Sequence, residues 1–324
     1  MESKDWLKAG ALVLIALIIG GAAYFLWSSR KKKSAARAPL PSGELLQPTF
    51  EMKEIGGRSV PFQNNLPYPT GETQPRETLS LNGPWKRMRS PGNHDLSLSV
   101  RKPQNIARMK RENPEAVDPA LDDQAWQNCT VPGVENPPPD RYMDVTWYRR
   151  QFQPLASFSG KRAILTFGAA NYVADVWVNG EWIGCHEGGF TPFSFDVTSL
   201  LKTGAPNLVT VRVDNIPWLP QNEDPGRRQS PANRSDIIPY KTCDWWNYGG
   251  LLREVELEAM EPVSIFRADV RPKETGSRTE LEVVLVTGNT TEKKQSMEAY
   301  LPLAPPTLLM AMQQLTMAAR IYWW

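Results

Sequence analysis

Polar and apolar residues alternate along NLVTVRVDN (207–215), which sets Val209, Val211 and Val213 on one face. That is the period of a strand with one face in a core. In YVADVWVNGEWIGCHEG (172–188), two such runs meet at Asn179-Gly180. Asn-Gly supplies the two positive φ angles of a type I′ turn, so the segment predicts a hairpin. RAILTFGA (162–169) reads as a strand, and LSLNGPW (79–85) and TWYRRQFQ (146–153) alternate as well, with Trp147 and Tyr148 as core. FSFDVTSLL (193–201) predicts a short strand and then a helical turn, capped by Asp196 or Thr198 and ended near Gly204. Val255 and Leu257 alternate with Glu254, Glu256 and Glu258, a half-exposed strand. Many short strands with Pro and Gly between them, and little helix, predict a mainly β fold: a two-sheet antiparallel sandwich. Residues 77–261 are the right size for a jelly roll.

Elsewhere the pattern weakens. Residues 28–76 hold a basic flank and then a stretch rich in Pro, Ser and Gly, which reads as a linker. Residues 89–120 are charged and contain proline, as in a long loop or insertion. After Glu261-Pro262, the runs SIFRADVRP (264–272), ELEVVLVTG (280–288) and SMEAYLPL (296–303) start a second sandwich of immunoglobulin type. Such a domain needs about 100 residues and seven strands, so residues 262–303 predict only part of one. The tail 304–324 has no strand alternation and ends on Tyr322-Trp323-Trp324. A truncated or altered C-terminus is the simplest account of it.

The N-terminus behaves differently. After an eight-residue flank, residues 9–27 (AGALVLIALIIGGAAYFLW) carry no charge. As a helix they span roughly 28 Å, about the thickness of a bilayer's hydrocarbon. A signal peptide is the alternative, but its apolar region is about 7–15 residues with a cleavage site just after it. Here the run is longer and leads into Arg30, Lys31, Lys32 and Lys33, which favours an uncleaved single-pass anchor. The basic residues follow the span, and Lys/Arg excess marks the cytoplasmic side. The charge rule therefore places the globular part in the cytoplasm.

Composition narrows the chemistry. With 37 basic and 35 acidic residues, the net charge of +2 gives no reason to expect nucleic acid as a partner. Cys129, Cys185 and Cys243 are far apart and form no CxxC pair, which argues against a zinc site or a disulfide framework. The two histidines, His94 and His186, are too few for a multi-histidine metal centre, and Ser-His-Asp chemistry would have to use one of them. No cofactor is expected.

One loop stands out: KTCDWWNYGGLLREVE (241–256) places Asp244, Trp245, Trp246, Asn247 and Tyr248 before two glycines and a strand. Its aromatics either close a core or build a ligand surface. Taken with LSLNGPW, AWQNCTVPG (125–133), TWYRRQF, VWVNGEWIGCHEGGFTPFSFDVTSLL and NLVTVRVDN in this order, it resembles the N-terminal sugar-binding domain of glycoside hydrolase family 2. That family includes β-galactosidases, β-glucuronidases and β-mannosidases. The resemblance covers about 77–261 strongly and 262–303 weakly. It implies a jelly roll, then an immunoglobulin-like domain, then a catalytic TIM barrel. Retaining hydrolysis needs two carboxyl groups about 5–5.5 Å apart, which the family carries on the barrel. A barrel takes about 250 residues, so no catalytic residue is assigned here and the chain alone is expected to be inactive.

The resemblance implies a substrate-binding set of Asp244, Trp245, Trp246, Asn247 and Tyr248. Asp244 is the candidate contact, since an ionised carboxylate accepts from two sugar hydroxyls. Trp245 and Trp246 read better as plugs, since large aromatics are mostly buried. His186 and Glu187, in HEGGFTPF (186–193), read as a hydrogen-bonded turn before an acid/base pair. The Asn247-Tyr248 pair resembles β-glucuronidases more than β-galactosidases. The expected role is the sugar-binding portion of a membrane-anchored family 2 glycosidase. Its partners would be a glycan or glycoside, the membrane, and a barrel domain as intramolecular partner. A stand-alone carbohydrate-binding module and a non-functional fragment stay open as alternatives.

Overall fold

The computed structural model describes residues 49–55, 57–68, 76–140, 142–216, 246–275, 278–291 and 315–323. The 9–27 segment, Asp244, Trp245 and the 296–303 run lie outside them. No helix among the described residues is long and apolar enough to cross a membrane.

In chain order the strands are β1 (Phe50–Ile55), β2 (Arg58–Gln63), β3 (Leu66–Pro67), β4 (Glu77–Ser80), β5 (Gly83–Arg89) and β6 (Gln127–Val131). Then come β7 (Val145–Phe152), β8 (Arg162–Phe167), β9 (Ala170–Asn171), β10 (Val173–Val178), β11 (Glu181–Glu187) and β12 (Phe193–Asp196). The last are β13 (Asn207–Asp214), β14 (Gly250–Leu251), β15 (Val255–Met260), β16 (Val263–Thr275), β17 (Arg278–Asn289) and β18 (Leu315–Trp323). Two short helices, α1 (His94–Ser97) and α2 (Pro103–Lys110), sit between β5 and β6.

A six-stranded antiparallel sheet, β11-β10-β13-β7-β5-β6, packs on a four-stranded one, β12-β8-β15-β4. The core between them joins Val176, Val209 and Val211 of the first to Leu165, Phe193 and Leu257 of the second. The β10–β11 hairpin turns at Asn179 (φ 52°) and Gly180 (φ 88°), as the Asn-Gly pair requires. The β-sandwich expectation is met.

Three readings need correction. The supposed linker contains β1 to β3, a small antiparallel sheet. Val60 and Phe62 of β2 pack on Val286 of β17, and Leu66 joins Ile164, Met260 and Phe266. The strands are six residues or fewer and Pro61 interrupts the alternation, so the local signal was weak. Residues 89–120, read as a long loop or insertion, carry α1 and α2 and cover the outer face of the six-stranded sheet. There Ala116 and Val117 meet Trp147 and Trp177. This explains why Thr210, Arg212 and Asp214 on β13 are buried although they alternate with the core valines. Finally, the tail that lacked strand alternation holds β18, parallel to β17.

Candidate functional site

The described part of the loop singled out in the sequence, from Trp246 on, runs to where β14 meets β9, with Gly250 opposite Asn171 and Leu251 opposite Ala170. Four buried asparagines hold it: Asn136, Asn171, Asn215 and Asn247, each 4% exposed or less. Asn247 Nδ2 donates to Asn215 Oδ1 at 2.7 Å, and Asn171 Nδ2 donates to Asn247 Oδ1 at 2.8 Å. Asn171 Nδ2 also reaches the Tyr248 carbonyl at 2.6 Å. Asn136 acts at both ends: its Nδ2 donates to the Asn247 carbonyl at 3.0 Å, and its Oδ1 accepts from the Gly249 amide at 2.8 Å. The Trp246 indole N–H donates to the Asn136 carbonyl at 2.8 Å. Asparagine suits such a cage because one amide offers donors and an acceptor to backbone groups that no strand partner satisfies.

The glycines are required by the close approach. Gly250 has φ +111°, and a Cβ there would lie 2.9 Å from the Tyr148 hydroxyl and 3.1 Å from the Glu135 nitrogen. A Cβ on Gly249 would meet Asn215 Nδ2 at 2.6 Å.

Beneath the loop sits Glu135, with its side chain 2% exposed. Its carboxylate accepts from Arg87 Nη1 and Arg89 Nε, both at 2.6 Å, and from the Tyr148 hydroxyl at 3.0 Å. Burial pushes the Tyr148 hydroxyl well above its ordinary value, and the Glu135 charge adds to that. The Glu135 backbone N–H bonds the Gly249 carbonyl at 2.7 Å. Sheet, clamp and loop are therefore one connected unit.

Of the substrate-binding set from the sequence, the structure describes Trp246, Asn247 and Tyr248. Asn247 belongs to the frame, since both polar atoms of its side chain are bonded inside the protein. Trp246 is half-buried and Tyr248 is 37% exposed, on the surface of the loop. Asn136, Asn171, Asn215 and Glu135 were missed, since nothing in the linear pattern marks them as neighbours of residue 247.

The two histidines are structural. His186 Nε2 lies 3.0 Å from Thr191 Oγ1, and the ring stacks on Phe193 with centroids 4.4 Å apart. Burial pulls its pKa down to about 4, so it is neutral at pH 7. His94 Nδ1 lies 2.8 Å from Asp214 Oδ1, with Ser97 alongside, but the Ser97 hydroxyl donates to Asp214 and is fully buried. A catalytic serine would instead give its proton to the histidine. Burial alone would raise the Asp214 carboxyl, yet His94, Arg212 and Ser97 hold it below the usual carboxylate range. Among the described residues no group of three or more His, Cys, Asp or Glu side chains is placed to hold a metal ion.

Comparison with known proteins finds a match over residues 80–261 to the family model described as "Glycosyl hydrolases family 2, sugar binding domain". A beta-glucuronidase of Paenibacillus borealis is 35% identical over 141 residues, 38% of this chain and 23% of that protein. A beta-galactosidase of Thermoanaerobacter pseudethanolicus is 34% identical over 126 residues, 38% of this chain and 15% of its own length. The chain thus spans less than a quarter of the length of these relatives. A solved beta-glucuronidase from an uncultured Clostridium sp. shares the fold over 68% of this chain and 35% of its own, with TM-score 0.51 and 24% identity.

Proposed function

The chain belongs, through residues 80–261, to the sugar-binding-domain family of the family 2 glycosyl hydrolases, and from that premise we propose that it is the sugar-binding portion of a β-glucuronidase-like glycosidase. The observation that carries this is the asparagine cage. It presents Trp246 and Tyr248 on a loop tied to the sheet, with Asp244 and Trp245 next to them in sequence. In this reading Asp244 accepts from sugar hydroxyls, and the aromatics shape the surface around it.

The portion is proposed to be non-catalytic. Among the described residues, the buried carboxylates Glu135, Asp175 and Asp214 are held by arginines or a histidine, and Asp144 accepts from the Gly92 and Val145 amides. Carboxylates bonded inside the fold in this way are not presented to a sugar. Exposed apolar side chains surround the loop: Tyr248 on it, Val134 beside the Glu135 amide that bonds it, and Phe190 beside Gly189, which abuts Asn171. We read them as the face that meets a catalytic barrel. Residues 9–27 are proposed to anchor the chain in a membrane, with the globular part on the cytoplasmic side. The flanking charges support this, and protease protection in sealed vesicles tests it.

Calorimetry of the full chain in detergent with glucuronate tests the binding role. Saturable binding is expected, with the component contributed by the loop lost in Asp244→Ala. Binding that persists unchanged in Asp244→Ala would refute the loop assignment. The same preparation should not turn over a nitrophenyl β-glucuronide.

A further inference from the structure

The register of the six-stranded sheet contains a split. β5 pairs with β7 only from Lys86↔Arg149 to Arg89↔Thr146. Beyond that point Gly83, Pro84 and Trp85 pair with β6 alone, while Arg150, Gln151 and Phe152 pair with β13 alone. The two strands diverge and leave a notch of about 420 Å³, lined by Pro84, Trp85, Lys86, Arg149 and Arg150 together with the 121–124 segment. That volume lies within the roughly 300–1,000 Å³ of small-molecule sites.

The side chains around the notch are unusual for this protein. Every other buried or half-buried arginine among the described residues holds a carboxylate, as Arg149 holds Asp123 at 2.9 Å and Arg212 holds Glu112 at 2.6 Å. Arg150 is half-buried and holds none. Its Nη1 caps the Pro84 carbonyl across the split, and its Nε is buried without a partner. Burial shifts its guanidinium downwards, and neither carboxylate of the notch is paired with it. A desolvated cation without a counter-charge is costly, so the position favours an anion. Lys86 lines the same notch and reaches only the Gln124 carbonyl, at 3.4 Å. The notch is also lined by Asn128 and Gln151 and by two carboxylates, Asp122 and Asp123, of which Asp123 is paired with Arg149. Cations match a carboxylate or sulfate, whereas amides and a carboxylate match hydroxyls.

We propose that the notch between β5 and β7 is a second ligand site, one that takes an acidic saccharide with its anionic group on Arg150 and Lys86. It is separate from the loop around Trp246 and does not depend on the role given to that loop.

The test is a calorimetric titration of the full chain in an Asp244→Ala background, which removes the other candidate contact. Sodium glucuronate should bind with a millimolar dissociation constant. Adding Arg150→Ala should weaken it at least tenfold, and adding Lys86→Ala two- to fivefold. Methyl glucoside, which lacks the charge, should bind at least tenfold more weakly. If Arg150→Ala melts early because the Pro84 cap is gone, the half-exposed Lys86 variant and the neutral sugar decide. No binding in the Asp244→Ala chain would overturn the proposal. So would binding indifferent to Lys86 and to the ligand's charge. Equal binding by wild type and Asp244→Ala would instead count against the loop and leave the notch intact.

Discussion

Changing Asn247 to Asp exchanges one NH₂ group for an oxygen at the centre of the cage. In the native protein Asn247 Nδ2 donates to Asn215 Oδ1 at 2.7 Å, while Asn247 Oδ1 accepts from Asn171 at 2.8 Å. Aspartate keeps the second contact and turns the first into two acceptors facing each other. Asn215 can relieve this by rotating its amide, but its Nδ2 then leaves the Asn247 carbonyl, which it now reaches at 3.3 Å. The side chain is also 4% exposed, so the new charge is desolvated.

A buried group left unsatisfied costs about 1–3 kcal/mol, and a buried charge more. We expect a loss of about 2–4 kcal/mol at pH 7, a large share of the ~5–15 kcal/mol typical of a domain. The sign with pH is diagnostic. Burial and the facing oxygen raise the aspartate pKa in the folded state above its unfolded value near 3.9. The ionised form is what destabilises, so the deficit relative to wild type should shrink as pH falls through the raised pKa. The slope approaches about 1.4 kcal/mol per pH unit. Urea unfolding followed by tryptophan fluorescence at pH 7 and pH 5 measures it. A deficit under 1 kcal/mol, or one that does not shrink at pH 5, would show that the cage is not packed as described.

Gly250→Ala combines a positive φ of +111° with a Cβ 2.9 Å from the Tyr148 hydroxyl. Strain and overpacking together should cost about 2–5 kcal/mol in the same urea assay, and a neutral result would rule out this backbone geometry. His186 is held neutral by burial, with its pKa pulled from 6.5 to about 4. Its contribution is therefore complete above pH 6.5 and lost as pH falls towards 4, up to about 3 kcal/mol. In His186→Gln the unfolding midpoint should be flatter across that window. Burial pushes the Cys129 thiol up to about 11 and Cys185 up to about 12. Iodoacetamide at pH 8 should therefore modify both in the native protein at least about a hundredfold more slowly than after unfolding. Mass spectrometry of the labelled peptides reads this out.

Where the pattern is strict, the fold could be read from the chain. Alternation marked β13, and Asn179-Gly180 marked the hairpin, because each is a local rule with a local cause. Where the cause is distant, the pattern was silent. Phe62 becomes core only because β17 covers it, and residues 94–118 are ordered by buried ion pairs to β10 and β13. Those pairs join residues such as Arg101 and Asp175, whose charge alone would place them at the surface. The site divides in the same way. Aromatics beside glycines drew attention to the 241–250 loop. The asparagines that hold it come from residues 136, 171 and 215, and only the folded chain brings them together.

Residues 135 and 136 explain how the loop is supported. The Glu135 side chain points into the sheet, where two arginines and Tyr148 fix it, and the Asn136 side chain points to the loop, where it holds both the Asn247 carbonyl and the Gly249 amide. Neighbouring residues thus couple the ladder of β5 and β7 to Trp246–Gly250. A loop left to itself would lose about 1–2 kcal/mol of backbone freedom per residue when a ligand ordered it. Here that ordering is part of folding, so a sugar at this surface would gain from contacts with little offset for ordering these residues. The buried ion pairs to Glu135 are weak as stabilisers, since desolvation cancels much of their attraction. Their effect is to fix one position for Glu135 and hence one position for the loop. Loss of Arg87 or Arg89 would leave the buried Glu135 charge short of a partner, so it should disturb the loop's geometry and also destabilise the domain, by up to about 3–5 kcal/mol.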